Sequence, residues 1–363
     1  MVRYYRIVLL GLYTSILFGM EDKHCQLDFC PTRKGYYQSV VNNRNKPTVV
    51  CCFCDLEMLK ANYILAEDTQ CGVRTMMNKS PYPDFDQAIH LLIMPIAHKE
   101  LPSDFGHKDF VGHSEALWTL SAKLYADAYS QEYFTSWGKM AGQTVPHWHS
   151  HFKNYIMPPL SMPERMKSYE KFSIKNVEDA FKITKKLLET TEFDLKETSE
   201  VVYDFTCPCC LANNVHKDEE NFVIARFKHN YICLAHYPRY PGEVIIIPNR
   251  HVAAIKDLSS DELQENMALA MALFPRMKEY AHAHIRDCDG GNIYTKSMGG
   301  KASLEQQTNH HVYTMVIPRT TITLIPSAMD GNSLKLDFDP NHLCAYLKEK
   351  INEIKEILIE EGY

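Results

Sequence analysis

The stretch GQTVPHWHSHF, residues 142 to 152, sets His147, His149 and His151 on alternate positions. On an extended chain a period of two sends all three imidazoles to one face. A strand serving only a core would not give a whole face to titratable rings. The stretch therefore predicts a strand that carries chemistry, and the rest of the chain decides which.

The same succession of features occurs twice. The first is Cys51-x-x-Cys54 in CCFC, then the apolar HLLIMPIAH ending at His98, then His147. The second is Cys207-x-x-Cys210 in CPCC, then EVIIIPNRH ending at His251, then QQTNHHVYTMVIPR containing His311. The offsets are 156, 153 and 164 residues, near enough to constant to indicate a duplicated domain. Between the second and third features of each copy lies a helical stripe. Leu117, Leu120, Leu124 and Ala128 form one; Leu263, Met267, Met271 and Phe274 form the other, behind a Ser259–Glu262 capping box. Strands followed by a packed helix and a further strand predict an α+β fold with two tandem domains. The domains are expected at residues 21–168 and 201–363, joined by a polar helical linker over 169–200. A final amphipathic helix, HLCAYLKEKINEIKEILIEE, closes the second.

Composition narrows the partners. A net charge of −6 over 363 residues gives no basic footprint, so there is no strong case for nucleic acid. Arg3 and Arg6 precede an apolar run from Ile7 to Met20 that stops at Glu21 and Asp22. Residues 1–20 therefore have the layout of a signal peptide, with an uncleaved anchor or a core element as alternatives. A signal would place the protein in the periplasm or outside the cell; without one it would be cytoplasmic. No other segment is long and apolar enough to span a membrane.

Two cysteines and two histidines in separated groups make a tetrahedral zinc set. The second copy selects the fourth ligand of the first. Aligning Gln307-Thr308 with Gln143-Thr144 puts His311 on His147, Tyr313 on His149 and Met315 on His151. Only the first histidine is kept, as befits a job both copies share. Two structural zinc sites are expected, at Cys51, Cys54, His98 and His147, and at Cys207, Cys210, His251 and His311. Open alternatives are local disulfides, surface roles for His98 and His251, and exchange of a ligand for Cys52 or Cys209.

AGQTVPHWHSH resembles the signature of the histidine triad (HIT) superfamily, Gly-Gln-Ser/Thr-Val-x-His-x-His-x-His. EVIIIPNRHVAAIKDLSSDEL is similar to the early strand and helix of such a domain, and HVYTMVIPR to a triad strand without its last two histidines. The resemblance covers most of residues 45–160 and 200–330. It implies two tandem HIT-like domains, the first catalytic and the second degenerate, paired as an internal pseudo-dimer. It also implies His149 as a nucleophile that attacks the α-phosphorus of a nucleotide ester, anhydride or phosphoramidate, and Gln143, Thr144 and His151 as phosphate contacts. The partner would be a nucleotide-containing small molecule. Zinc-bearing members similar to galactose-1-phosphate uridylyltransferase place their ligands as proposed above. A third histidine, His151, goes with hydrolases in the family, whereas glutamine goes with transferases. Hydrolysis is the expected outcome, with a nucleotidyltransferase, a phosphorylase or an inactive nucleotide-binding protein as alternatives. The chemistry is sound on its own terms: neutral imidazole is a nucleophile near pH 7, and neighbouring donors hold the anion. Trp148 and Ser150, between the histidines, have no counterpart in the pattern. Asp84 and Asp86 lie near the family's ribose-binding acidic position without a firm match.

Overall fold

The computed structural model describes residues 51, 53–55, 63–78, 88–101, 104–138, 141, 143, 145–155, 181, 184–186, 188–189, 207, 209–210, 223–234, 242–285, 288–320 and 339–360. The expected signal at 1–20, Cys52, Asp84, Asp86 and Thr144 lie outside them. So does most of the expected 169–200 linker, whose described positions are helical.

The first half supplies β1 (Ile64–Asp68), β2 (Val73–Met77), β3 (Ala88–Pro95), α1 (His107–Leu124), β4 (Ser130–Trp137) and β5 (Ser150–Tyr155). The second supplies β6 (Val223–Arg226), β7 (Asn230–Leu234), β8 (Val244–Pro248), α2 (Ser260–His284), β9 (Cys288–Met298), the short α3 (Leu304–Asn309), β10 (Tyr313–Thr320) and α4 (Pro340–Glu360). All ten strands join one antiparallel sheet in the order β1-β2-β3-β5-β4-β9-β10-β8-β7-β6. The fold is α+β. Each half uses the same strand order, read outward-in, and the seam is the pairing of β4 with β9 from Ser130↔Met298 to Trp137↔Gly291.

Local chemistry explains the elements. Asp68 Oδ1 accepts the N–H groups of Gln70 and Cys71 at 2.8 and 3.1 Å and so turns the β1–β2 hairpin, with Gly72 at φ 68°. Ser259 and Glu262 cap α2 reciprocally, as the sequence predicts: Ser259 N–H donates to Glu262 Oε2 at 2.7 Å, and Glu262 N–H to Ser259 Oγ at 3.2 Å. The stripe on α2 is buried throughout. On the first copy the helix ends at Leu124, and Ala128 is buried in the turn beyond it rather than on a further helical turn.

Within the strands, the aligned positions have matching neighbours in the two halves. His151 faces Leu92 and Phe134, and Met315 faces Ile245 and Tyr294. Phe134 and Tyr294 face each other across the seam and stack at 5.4 Å. On the opposite sheet face α1 meets α2, where Ser114 Oγ lies 3.1 Å from Met267 Sδ. The core runs through this contact: Leu117, Leu120 and Phe152 of the first half pack in one cluster with Ile255, Leu263, Met267 and Val312 of the second. Burying each such aliphatic or aromatic side chain contributes about 1.5–3 kcal/mol.

Candidate active site and metal clusters

Strand β5 begins only at Ser150, so the expected extended run through all three histidines is shorter than its spacing suggests. Pro146 has no N–H to give a ladder, and Trp148 N–H instead donates to Lys99 O at 2.6 Å. His149 and His151 still share a side, with ring centroids 5.1 Å apart. His147 turns away toward the cysteines.

The His147 ring is wholly buried, and its Nε2 lies 3.0 Å from Pro95 O. A carbonyl can only accept, so Nε2 carries the proton and Nδ1 offers its lone pair. That lone pair faces Cys51 Sγ at 3.4 Å and Cys54 Sγ at 3.5 Å, while His98 Nδ1 lies 3.4 Å from Cys54 Sγ. His98 Nε2 is in turn 2.9 Å from Glu100 Oε1, the carboxylate partner that orients a ligating imidazole. In the second half Cys210 Sγ lies 3.3 Å from His251 Nδ1, and His311 Nδ1 lies 3.6 and 3.7 Å from Cys210 and Cys207. The Cys207 thiol is driven far below its usual range, first by its hydrogen bond with Cys209 and then by His251 and His311. In each group the four ligand atoms lie within 4.8 Å of one another. A tetrahedral ion bound at zinc's usual distances separates sulfur from nitrogen by about 3.6 Å, so both clusters fit a metal of that size. Neither Cys51 and Cys54 nor Cys207 and Cys210 are joined to each other by a disulfide.

The nucleophile candidate has a fixed tautomer. His149 Nδ1–H donates to the His147 backbone carbonyl at 2.7 Å, which leaves Nε2 as the lone-pair nitrogen. Burial also lowers the His149 pKa, with that hydrogen bond opposing, so the ring is neutral near pH 7. His151 stacks on Phe134 with centroids 4.5 Å apart and planes 9° apart. Its Nδ1 forms a 2.9 Å hydrogen bond with His90 Nε2. Burial holds both rings well below the ordinary histidine range, helped by the nearby Lys153 and by His149. His90 is the residue that the sequence reading passed over, since a single histidine in the apolar HLLIMPIAH looks like core. Period two was the available signal: from His90 the same face runs through Leu92 and Met94.

Gln143 Oε1 accepts Gly138 N–H at 2.9 Å, closing the loop after β4 where Gly138 has φ 80°. Contact with an anion would therefore fall to its amide nitrogen. Gln307, aligned with it, sits in α3 and donates to Ala302 O at 3.0 Å, so the copies diverge there. Trp148 and Ser150 belong to the opposite face. Trp148 is buried between Phe105 and Trp137, each 5.1 Å away. Ser150 Oγ gathers His113 Nε2 at 3.0 Å, Tyr133 OH at 2.9 Å and Thr135 Oγ1 at 2.5 Å.

The HIT domain family model matches residues 216–293, in the half that has lost the triad. A Mycobacterium tuberculosis protein named AP-4-A phosphorylase is 32% identical over 102 residues, 28% of this chain and 48% of that one. The matched segment thus spans about half the length of that relative. Two solved structures from Arabidopsis thaliana share the fold at 16% identity. An ADP-glucose phosphorylase with bound ADP-glucose has a TM-score of 0.57, with 85% of this chain and 93% of that one covered. A GalT-like protein has a TM-score of 0.54, with 82% and 91% covered. No helix among the described residues is long and apolar enough to cross a membrane.

Proposed function

We propose that this chain cleaves a nucleotide at its α-phosphate through a covalent nucleotidyl intermediate on His149. The observation that carries the reading is the 2.7 Å hydrogen bond from His149 Nδ1 to the His147 carbonyl, which reserves Nε2 for attack on phosphorus. The Nε2–P bond forms as the bond from phosphorus to the leaving group breaks, and that group departs with the bonding pair. An acceptor then attacks the same phosphorus and releases His149. His151, hydrogen-bonded to His90, would donate from its outer nitrogen to the phosphate oxygens, with the Gln143 amide and Thr144 alongside.

Two acceptors fit. Histidine at position 151 favours water, hence a hydrolase. The likeness over more than four-fifths of the chain to a phosphorylase and a GalT-like fold favours inorganic phosphate or a sugar phosphate. Turnover of dinucleoside polyphosphates, adenosine phosphoramidate and nucleotide sugars, without acceptor, with phosphate and with a sugar phosphate, separates them, a transferase being the one that forms a new nucleotide sugar. A hydrolase releases the nucleoside monophosphate in both conditions; a phosphorylase needs phosphate and releases the diphosphate. His149→Ala should remove all turnover and all labelled adduct, and full activity in that variant would sink the mechanism.

We further read both Cys2His2 clusters as structural zinc sites and the two halves as an internal pseudo-dimer, supported by ligand spacing and by the repeated strand order. Zinc there would supply no step of the reaction; its place is to pin the segment leading into β5.

A further inference from the structure

The stretch QQTNHHVYTMVIPR ends on Arg319, a residue without a role in the histidine alignment. Arg319 Nε donates to Asn292 Oδ1, and Asn292 Nδ2 donates to Ser136 Oγ at 2.6 Å. The chain of contacts runs from β10 over β9 to β4, across the seam, on the histidine face. Residues paired across a ladder share a face, and Ser136↔Asn292 lies two positions from Phe134↔Tyr294, the row of His151. Two local features aim the arginine. A bulge interrupts the ladder between Arg319 and Thr320, and Gly290 opposite has no side chain.

The other half holds the equivalent position and fills it differently. Tyr155 faces Ser130 as Arg319 faces Gly290, and Tyr155 OH donates to Glu132 Oε2 at 3.0 Å. Glu132 in turn faces Lys296 across the seam, as Asn292 faces Ser136. Each half thus reaches toward the other's triad strand. The first half's series is Tyr155, Glu132 and, opposite it, Lys296; the second half's is Arg319, the uncharged Asn292 and Ser136, which puts a guanidinium where the first half has a phenol.

We propose that Arg319 is a specificity-determining residue, supplied by the degenerate half, that binds an anionic group beyond the α-phosphate of the substrate. The inference rests on the nucleotidyl-histidine reading above. Strand spacing sets the division of labour: β9, over which Asn292 holds the guanidinium, lies two strands or about 10 Å from β5. An α-phosphate in contact with His149 is held locally, whereas a phosphoryl group on the leaving side extends toward the seam. Guanidinium is the side chain suited to grip it with paired donors.

The test is binding without turnover. In the His149→Ala protein, affinity for AMP against ATP, and UMP against UTP, is measured by calorimetry with and without Arg319→Gln. Arg319→Gln should weaken the triphosphates about 10- to 100-fold, the range for a lost hydrogen bond to a charged group, and change the monophosphates less than about threefold. Arg319→Lys should fall between. Equal loss for mono- and triphosphates, or no loss for either, makes Arg319 a tie across the seam and overturns the inference alone. Binding of none of the four nucleotides overturns the proposed function with it. Should Arg319→Gln not fold by thermal unfolding, Arg319→Lys carries the same comparison, and equal effects on both ligand classes overturn the proposal.

Discussion

His149 takes its chemistry from one carbonyl, two residues back along its own chain. Because the His147 oxygen can only accept, the proton sits on Nδ1 and the reactive nitrogen is fixed before any substrate arrives. His151 is tied to His90 at 2.9 Å. His90→Ala should therefore lower kcat by up to about 100-fold, the cost of a misplaced contact, while leaving nucleotide affinity within about threefold. Steady-state kinetics measures both; an unchanged kcat would remove His90 from the site. Roles at this scale were unequally legible in the sequence. The period of two and the surviving His311 separated His147 from its neighbours. His90 was invisible because its partner lies 61 positions away, on a strand paired only in the folded sheet. Trp148 and Ser150 were opaque for the same reason: alternation puts them on the helix face, where only the packed helix gives them a purpose.

At the level of elements, β5 rests on a buried polar hub that each half builds with different residues. Below the triad strand His113 on α1 meets Ser150, and Thr135 completes the group. In the other half Asn266 on α2 bonds Thr314 at 2.6 Å, and Thr314 bonds Thr295 at 2.7 Å. Asn266 stands where His113 stands, so the fold accepts an amide in place of an imidazole. The difference matters in acid, because burial lowers the His113 pKa from 6.5 to about 4. Between those values the unfolded chain binds a proton that the folded chain refuses, so stability falls as pH drops from about 6.5 toward 4. His113→Asn removes that term. The variant should lose about 2 kcal/mol less stability than the parent between pH 7 and pH 5, read by denaturant titration at each pH. An identical pH dependence in both proteins would show that His113 does not titrate as its burial requires. The two striped helices were legible from sequence, with the cap of α2, since their information is local, although the first stops at Leu124 before the expected Ala128. The hub was not, because a histidine and an asparagine at equivalent positions share no pattern.

On the scale of the whole molecule, the sheet joins two halves whose outer segments are held by Cys2His2 clusters rather than by apolar packing alone. Cys51 and Cys54 belong to a short turn that meets the fold through Phe53, packed near Met76, Leu92 and Met94, and through His98 after β3 and His147 just before β5. The four ligand atoms of each group lie within 4.8 Å of one another, so the binding energy of an ion held there would count directly as folding energy. Purified protein should therefore contain about two zinc ions per chain, and the two clusters should fail differently. Cys51→Ser should halve the metal and also reduce turnover, because His147 is two residues from the nucleophile and its carbonyl fixes the His149 tautomer. Cys207→Ser should halve the metal and lower the melting temperature with a smaller effect on turnover, since His311 leads into the strand that has lost the triad. Metal analysis, thermal unfolding and kinetics on the same samples decide it. Equal losses of turnover in both variants would mean that the halves act as one body through the β4–β9 seam, and undiminished metal in either would remove that cluster as a zinc site.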